Sequence, residues 1–256
     1  MMIRALKAVV LTFFMLFLLP AVLSMGLTFV DVQSGPDAGM SSSHIIPKAT
    51  NDTEARILIM SARISGLRAS VATHSWIVLK RENASSWTRY DVLPWSGNRP
   101  QVNTWAPDDT WFGRSPTINA DIWGKEAAAL IPRIEAAIGV YEIEAGRYRW
   151  WPGPNSNTFV EAVLRAVPEL AATLPPTSIG KDFRRGPYGG ITDSRTGLEV
   201  SLSGVLGVKI GWIEGLEVNV LGLVAGLDLR QPALKLPGFG RVGFPGLLDH
   251  HNTASS

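Results

Sequence analysis

The sequence predicts an α+β fold. An antiparallel sheet packs against two main helices, a glycine-rich β region follows, and an apolar helix precedes the whole. Three observations predict it. Short apolar, β-branched and aromatic runs lie between about residues 55 and 93. Two stretches, near 125–138 and 158–170, carry apolar residues at helical spacing. A strand-and-glycine unit then occurs twice between residues 197 and 224.

The chain has 256 residues, 46% hydrophobic and 18% charged, enough for one large domain or two small ones. Its formal net charge is +2, and its basic residues form no long stripe, which argues against nucleic acid as a partner. It has no cysteine, so disulfides, a thiolate nucleophile and thiolate metal sites are excluded. Of its four histidines, His250 and His251 lie in a polar tail, 247–256, that reads as disordered.

Arg4 and Lys7 precede an uncharged run from Ala8 to Val30. That run exceeds the roughly 20 residues of a bilayer crossing. Positive charge before it keeps the N-terminus in the cytoplasm and sends the rest across the inner membrane, into the periplasm. The other reading is a signal peptide cut near Ser24 or Gly26. Residues 31–54 are rich in Ser, Pro, Gly and Asp and read as a linker, with His44 a solvated loop residue. The core domain is expected over 55–183, with a glycine-rich β region over 184–246 packed on it.

Ala55–Ala62 holds the buried-strand run Ile57-Leu58-Ile59-Met60. Ser70–Lys80 and Trp87–Leu93 read as an antiparallel hairpin. Pro94–Trp123, with many Trp, Pro, Asn and Asp, has no clean period and reads as a long structured loop. Its tryptophans would pack over the sheet or line a groove. Lys125–Ile138 is a helix with Ala128, Ile131, Ile134, Glu135 and Ile138 on or beside one face and Pro132 as a kink point. In the last part, Gly197-Leu198-Glu199-Val200 returns as Gly215-Leu216-Glu217-Val218. Each copy alternates and then meets a glycine, which favours two strand-turn units.

The stretch Trp150-Trp151-Pro152-Gly153-Pro154-Asn155-Ser156-Asn157-Thr158-Phe159 organises the middle of the chain. Rigid aromatic and proline residues lead extended into small polar ones at a helix start. Unpaired backbone N–H groups and the positive dipole end gather there. Without cysteine, a nucleophile would be Ser156, and a serine needs a base. His74 is the histidine inside a predicted strand. A hairpin turning near Asn83-Ala84 sets it opposite Leu93 with Asp91 diagonal on the same face. The catalytic candidates are therefore Ser156, His74 and Asp91, with Asn155, Asn157, Trp76 and Trp151 as ligand contacts. The other reading is structural: Thr158 caps the helix, Glu161 completes a capping box, and Asn155 and Ser156 shape the turn. No ligand spacing for a metal and no cofactor fingerprint is present.

Several segments carry a family resemblance: Thr73–Val78, Trp87–Val92, Trp150–Phe159, Leu174–Phe183 and Leu234–Gly240. Through them, over roughly residues 55–243, the chain resembles the bacterial domain-of-unknown-function family 3750, a name that implies no activity. The order of strand histidine, second strand and Asn-X-X-X-Phe at a helix start also looks like the circularly permuted papain-like (NlpC-type) hydrolases. That likeness implies a papain-like fold and a hydrolase or acyltransferase acting on a peptide, amide or lipid bond. In those enzymes a cysteine follows the Asn; here Ser156 stands in its place, and a serine forms no thiolate–imidazolium pair. A non-catalytic module binding a peptide, amide or lipid ligand, and a structural envelope protein, are the alternatives.

Overall fold

Two antiparallel sheets, two helices against the first of them and an N-terminal apolar helix make this an α+β protein. The computed structural model describes residues 2–34, 39–144 and 146–243; the tail 247–256 lies outside them.

The first sheet contains β1 (Arg56–Arg63), β2 (Thr73–Lys80), β3 (Thr88–Val92), β4 (Pro100–Val102) and β5 (Thr117–Trp123). Their spatial order is β4-β3-β2-β1-β5. The central strands are apolar on both faces because both faces are covered. On one face Ile57, Ile59, Ile77 and Leu79 join α3 (Gly124–Glu144) and α4 (Ser156–Ala166) in one core with Ile131, Ile134, Phe159 and Val163. On the other, Leu58, Met60, Trp76, Val78 and Leu93 pack with Trp111.

The expected loop Pro94–Trp123 needs correction, since it contains β4 and β5. The physical reason is a bulge. Ile59 pairs with Ala120 but Met60 with Ile118, so Asn119 interrupts the alternation that marks a strand. Trp105 and Trp111 do cover the sheet, whereas Trp95 and Trp123 are exposed. Helix α3 runs beyond the expected Ile138 and continues through Pro132. Ala127 and Leu130 are buried in it, and Ala128 is exposed.

The second sheet is a meander in which each strand pairs with the one before it. Its strands are β6 (Pro187–Ile191), β7 (Gly197–Leu202), β8 (Leu206–Gly211), β9 (Gly215–Val220), β10 (Leu223–Asp228), β11 (Ala233–Leu236) and β12 (Gly240–Gly243). The internal repeat corresponds to β7 and β9, each followed by a turn with a glycine at positive φ, Gly204 and Gly222. In the observed registers Glu199 is opposite Lys209, and Lys209 is opposite Glu217. These residues are buried and point inward, toward α4 and the segment Lys181–Arg184. The outward partners are pairs such as Val200 with Val208 and Leu198 with Ile210.

Charge therefore fills the inside of this sheet. Lys181 Nζ lies 2.5 Å from Glu217, Lys209 Nζ 2.8 Å from Asp182, and Arg184 2.5 Å from Glu199 and 2.7 Å from Asp193. Helix α4 contributes Arg165, 2.7 Å from Asp193, and Glu161, 3.8 Å from Lys209. Burial pushes Asp182 toward neutrality, but the ammonium groups of Lys181 and Lys209 outweigh it and hold the carboxylate below its ordinary range. Glu161 goes the other way. Burial pushes it up to about 8, against the pull of Lys209, and its Oε2 has no hydrogen-bond partner.

The apolar N-terminal segment is one rod: α1 (Met2–Phe13), a π-helical turn Phe14–Leu18, and α2 (Leu19–Ser34). Its stretch Ile3–Val30 is long and apolar enough to cross a membrane. The rod is fastened to the rest of the chain. Ser24 Oγ donates to Ser70 O at 2.7 Å and lies 3.2 Å from Gly238 O. The turn Phe14–Leu18 lies against β10, where Phe17 is buried.

A carboxyl whose folded-state pKa is raised binds its proton more tightly in the folded chain. Its contribution is intact below the ordinary value near 4.5 and is lost as pH rises toward 8. For Asp193, burial is outweighed by Lys209 and Arg165, which hold it down to about 2, and its contribution is lost as pH falls below 3.8. Thermal melts of the parent should thus decline between pH 5 and 8, by at most about 1.4 kcal/mol per pH unit for one proton. In Glu161→Gln the same interval should be flat.

Candidate functional site

The organising stretch turns rather than runs straight. Arg149 N donates to Pro154 O at 2.8 Å, and the Trp151–Pro152 and Gly153–Pro154 peptide bonds are cis. This replaces the expected extended approach. The helix cap also moves. Asn155, not Thr158, is the N-cap: its Oδ1 accepts from Asn157 N at 2.9 Å and Thr158 N at 3.1 Å. Its Nδ2 donates to Trp150 O and Ile179 O. Gly180 permits this approach, because a Cβ there would stand 2.3 Å from Asn155 Nδ2 and its φ is +95°. Thr158 Oγ1 donates to Gly180 O, and Glu161 turns to the ion network rather than back to the cap.

His74 and Asp91 meet across the hairpin. Ile77 pairs with Tyr90, which sets His74 level with Leu93 and Asp91 on its diagonal. His74 Nε2 and Asp91 Oδ1 are 2.8 Å apart, but the direction is poor and neither atom completes a well-formed hydrogen bond there. The stronger hold on Asp91 is Arg89, whose Nη2 and Nε donate to Oδ2 at 2.7 and 3.1 Å. Burial would raise the Asp91 pKa; His74 and Arg89 together keep it below the ordinary carboxylate value. The His74 ring stacks on Trp111 with centroids 4.3 Å apart, and the Arg89 guanidinium lies 4.1 Å from the Trp76 ring centre.

Ser156 is elsewhere. It begins α4, which packs on the Ile77 and Leu79 face of β2, whereas His74 alternates with Trp76 on the opposite face. The hydroxyl partner of Ser156 is Tyr148. Burial pushes Tyr148 up to about 12; the bond to Ser156 works against this, and the charge of Asp91 adds to it. So His74 and Asp91 are brought together, Tyr148 stands within electrostatic reach of both Ser156 and Asp91, and Ser156 is not joined to His74. A β-strand sends neighbouring residues to opposite faces, and the helix carrying Ser156 covers the face that His74 does not use.

The expected ligand contacts are engaged internally. Asn157 Nδ2 donates to Thr73 O and Ile179 O, Trp76 Nε1 to Pro107 O, and Trp151 Nε1 to Leu221 O. The last bond ties the organising stretch to the second sheet. Among the described residues no group of His, Asp and Glu is arranged to hold a metal.

The open space lies away from these residues. A groove of about 680 Å3 runs between the β1/β5 edge of the first sheet, the segment Leu170–Thr177, and β10–β12. Arg63, Arg230, Lys235 and Arg241 line it, with Asp121 and Asp228. Arg241 is paired with Asp228 at 2.8 Å, and Asp121 with Arg56. Arg63 donates to three backbone carbonyls, those of Ala69, Ser70 and Gly238. Burial lowers its pKa, and the charge acting on it is a second cation, Arg114. Sequence reasoning missed Arg89, Tyr148 and Arg63. The Arg89–Asp91 pair had a signal, since residues two apart on a strand share a face; Arg63 and Tyr148 had none.

The family model described as "Protein of unknown function (DUF3750)" matches residues 54–183, half of the chain. The chain belongs to the DUF3750 family. The matched span holds the first sheet, α3, α4 and the organising stretch; the second sheet and the segment Leu234–Gly240 lie beyond it. No curated protein and no solved structure matches the chain.

Asn155→Ala removes the cap and leaves Trp150 O without its side-chain donor, while Ile179 O keeps Asn157 Nδ2. A loss of about 2–4 kcal/mol in denaturant unfolding is expected, a cap plus an unsatisfied polar group. Asp91→Ala strands the buried Arg89 guanidinium and should lower stability by about 3–5 kcal/mol. Urea titration of each variant against the parent checks both.

Proposed function

We propose that this DUF3750 protein is a cell-envelope binding domain, held at the inner membrane by its N-terminal helix and facing the periplasm. It takes a ligand carrying a carboxylate or phosphate into the groove between its two sheets and does not turn it over. Arg63 carries this reading. A half-buried guanidinium whose electrostatic neighbour is another guanidinium is relieved by an anion. A groove of about 680 Å3 falls in the range of small-ligand sites. Peptide C-termini, cleaved amides and lipid phosphates all present such a group. The positive residues Arg4 and Lys7 ahead of the apolar run support the orientation.

A papain-like hydrolase built on Ser156, His74 and Asp91 is the competing reading, and the opposite faces on which Ser156 and His74 lie weigh against it. Its test is simple. Ser156→Ala would abolish turnover of peptide, amide and ester probes in a hydrolase and leave anion binding untouched in a binding domain.

The binding reading is tested on the full chain in detergent with inorganic phosphate as the probe. At ten times its Kd, a bound anion stabilises by about 1.4 kcal/mol, a rise in Tm of roughly 3–5 °C for a chain of this size. Arg63→Met should lose the rise while keeping its circular dichroism spectrum, and Arg230→Ala should weaken it. No rise in the parent up to high phosphate, with none for acetate, would sink the proposal.

A further inference from the structure

The second sheet is inverted relative to an ordinary half-buried sheet. Its charged residues face in, and every outward position in the paired registers of β6 to β12 is apolar or glycine. Leu198, Val200, Leu202, Leu206, Val208 and Ile210 form an unbroken block on two adjacent strands, with Val200 65% and Val208 46% exposed. Protein–protein interfaces carry polar groups through much of their area, about 40% of it. A face with no polar side chain at all is of the kind that meets hydrocarbon.

The apolar rod identifies the occupant. Its turn Phe14–Leu18 lies against β10, and the outward-facing Ala225 of that strand is buried there. Phe14–Leu18 is the middle of the 28-residue apolar stretch Ile3–Val30, of which 24% of the most apolar window is buried in the protein. Ser24 holds the rod to Ser70 and Gly238. The free sides of the rod and the strands beside β10 face the same apolar surroundings. Helix and sheet face are one continuous apolar surface. Trp212, 59% exposed in the β8–β9 turn, is a residue type that settles at the headgroup level.

The geometry points to a second membrane contact: the outward face of β6–β12 seats on the acyl layer of one leaflet, beside the N-terminal rod. The sheet rests on the bilayer rather than crossing it, because the backbone groups along its open edges at β6 and β12 must stay in reach of water. The inward charges are paired among themselves and need no solvent on that side. This inference rests on the rod being retained as an anchor and is independent of what the groove binds.

The chain has no cysteine, so a single one can be placed at will. A nitroxide label on Val208→Cys, in full-length protein reconstituted into phosphatidylcholine–phosphatidylglycerol vesicles, reads the medium at the centre of the face. Ala136→Cys, on the exposed side of α3, is the reference. The expected result is a Val208 label open to oxygen and closed to a water-soluble nickel chelate. The Ala136 label should be open to the chelate. A Val208 label as open to the chelate as Ala136 overturns the proposal. So does strong spin–spin broadening at Val208, which would mean that a second copy covers the face. The intact mass of the membrane-bound protein is measured in parallel. A mass without the rod overturns the proposal, because the occupant of the face is argued from the rod beside it.

Discussion

The structure depends on charge balance inside the second sheet. Lys209 reaches toward Asp182, Glu199 and Glu161 from the middle of β8, and Lys181 bridges Asp182 and Glu217. These groups come from α4, from the segment after the organising stretch and from three strands, so their pairing is what joins the meander to the first sheet. Removing one partner would leave a buried charge alone, which is far more costly than the pair is favourable. Trp151, bound to Leu221 O, and Asn219, bound to the Asp182 carboxylate and Gly204 O, extend the same junction through hydrogen bonds from uncharged donors.

This junction explains what α4 is for. Its N-terminus is fixed by Asn155 against Gly180, and its apolar side enters the core with Tyr141 and Ile131. Its polar side delivers Glu161 and Arg165 to the sheet. The small polar run ahead of it, which suggests chemistry when seen as sequence, is consumed by backbone carbonyls of Thr73, Ile179 and Gly180. On the far side of the first sheet, His74, Asp91 and Arg89 form a second buried polar group under Trp76 and Trp111. The accessible polar space is the groove that Arg63 lines.

Much of this was legible. The hairpin register that sets Asp91 diagonal to His74 follows from the position of its turn, and the Glu199/Glu217 repeat marks β7 and β9. The existence of α4 and of the helix after Gly124 follows from spacing and breakers, while the start of α4 lies two residues before the expected Thr158. Other parts were not. A period of two shows that β7 to β10 have a polar and an apolar face, but the same alternation describes either face turned inward; only the lysines and carboxylates of distant segments decide it. For the same reason the face of β2 covered by α4 could not be read from β2, and with it the separation of Ser156 from His74. The bulge at Asn119 erased the one local signal that β5 had.

The pairing of β6 through β12 in strict chain order carries a consequence for assembly. Each new strand adds beside the last through a short turn, so the meander can grow from local contacts alone, the kind of topology that forms quickly. Several of its buried charges, however, find partners in Glu161, Arg165 and Lys181–Arg184, which precede it in the chain. The earlier half therefore acts as the template on which the later half is laid down, and the last strand to arrive closes beside the helix that left first.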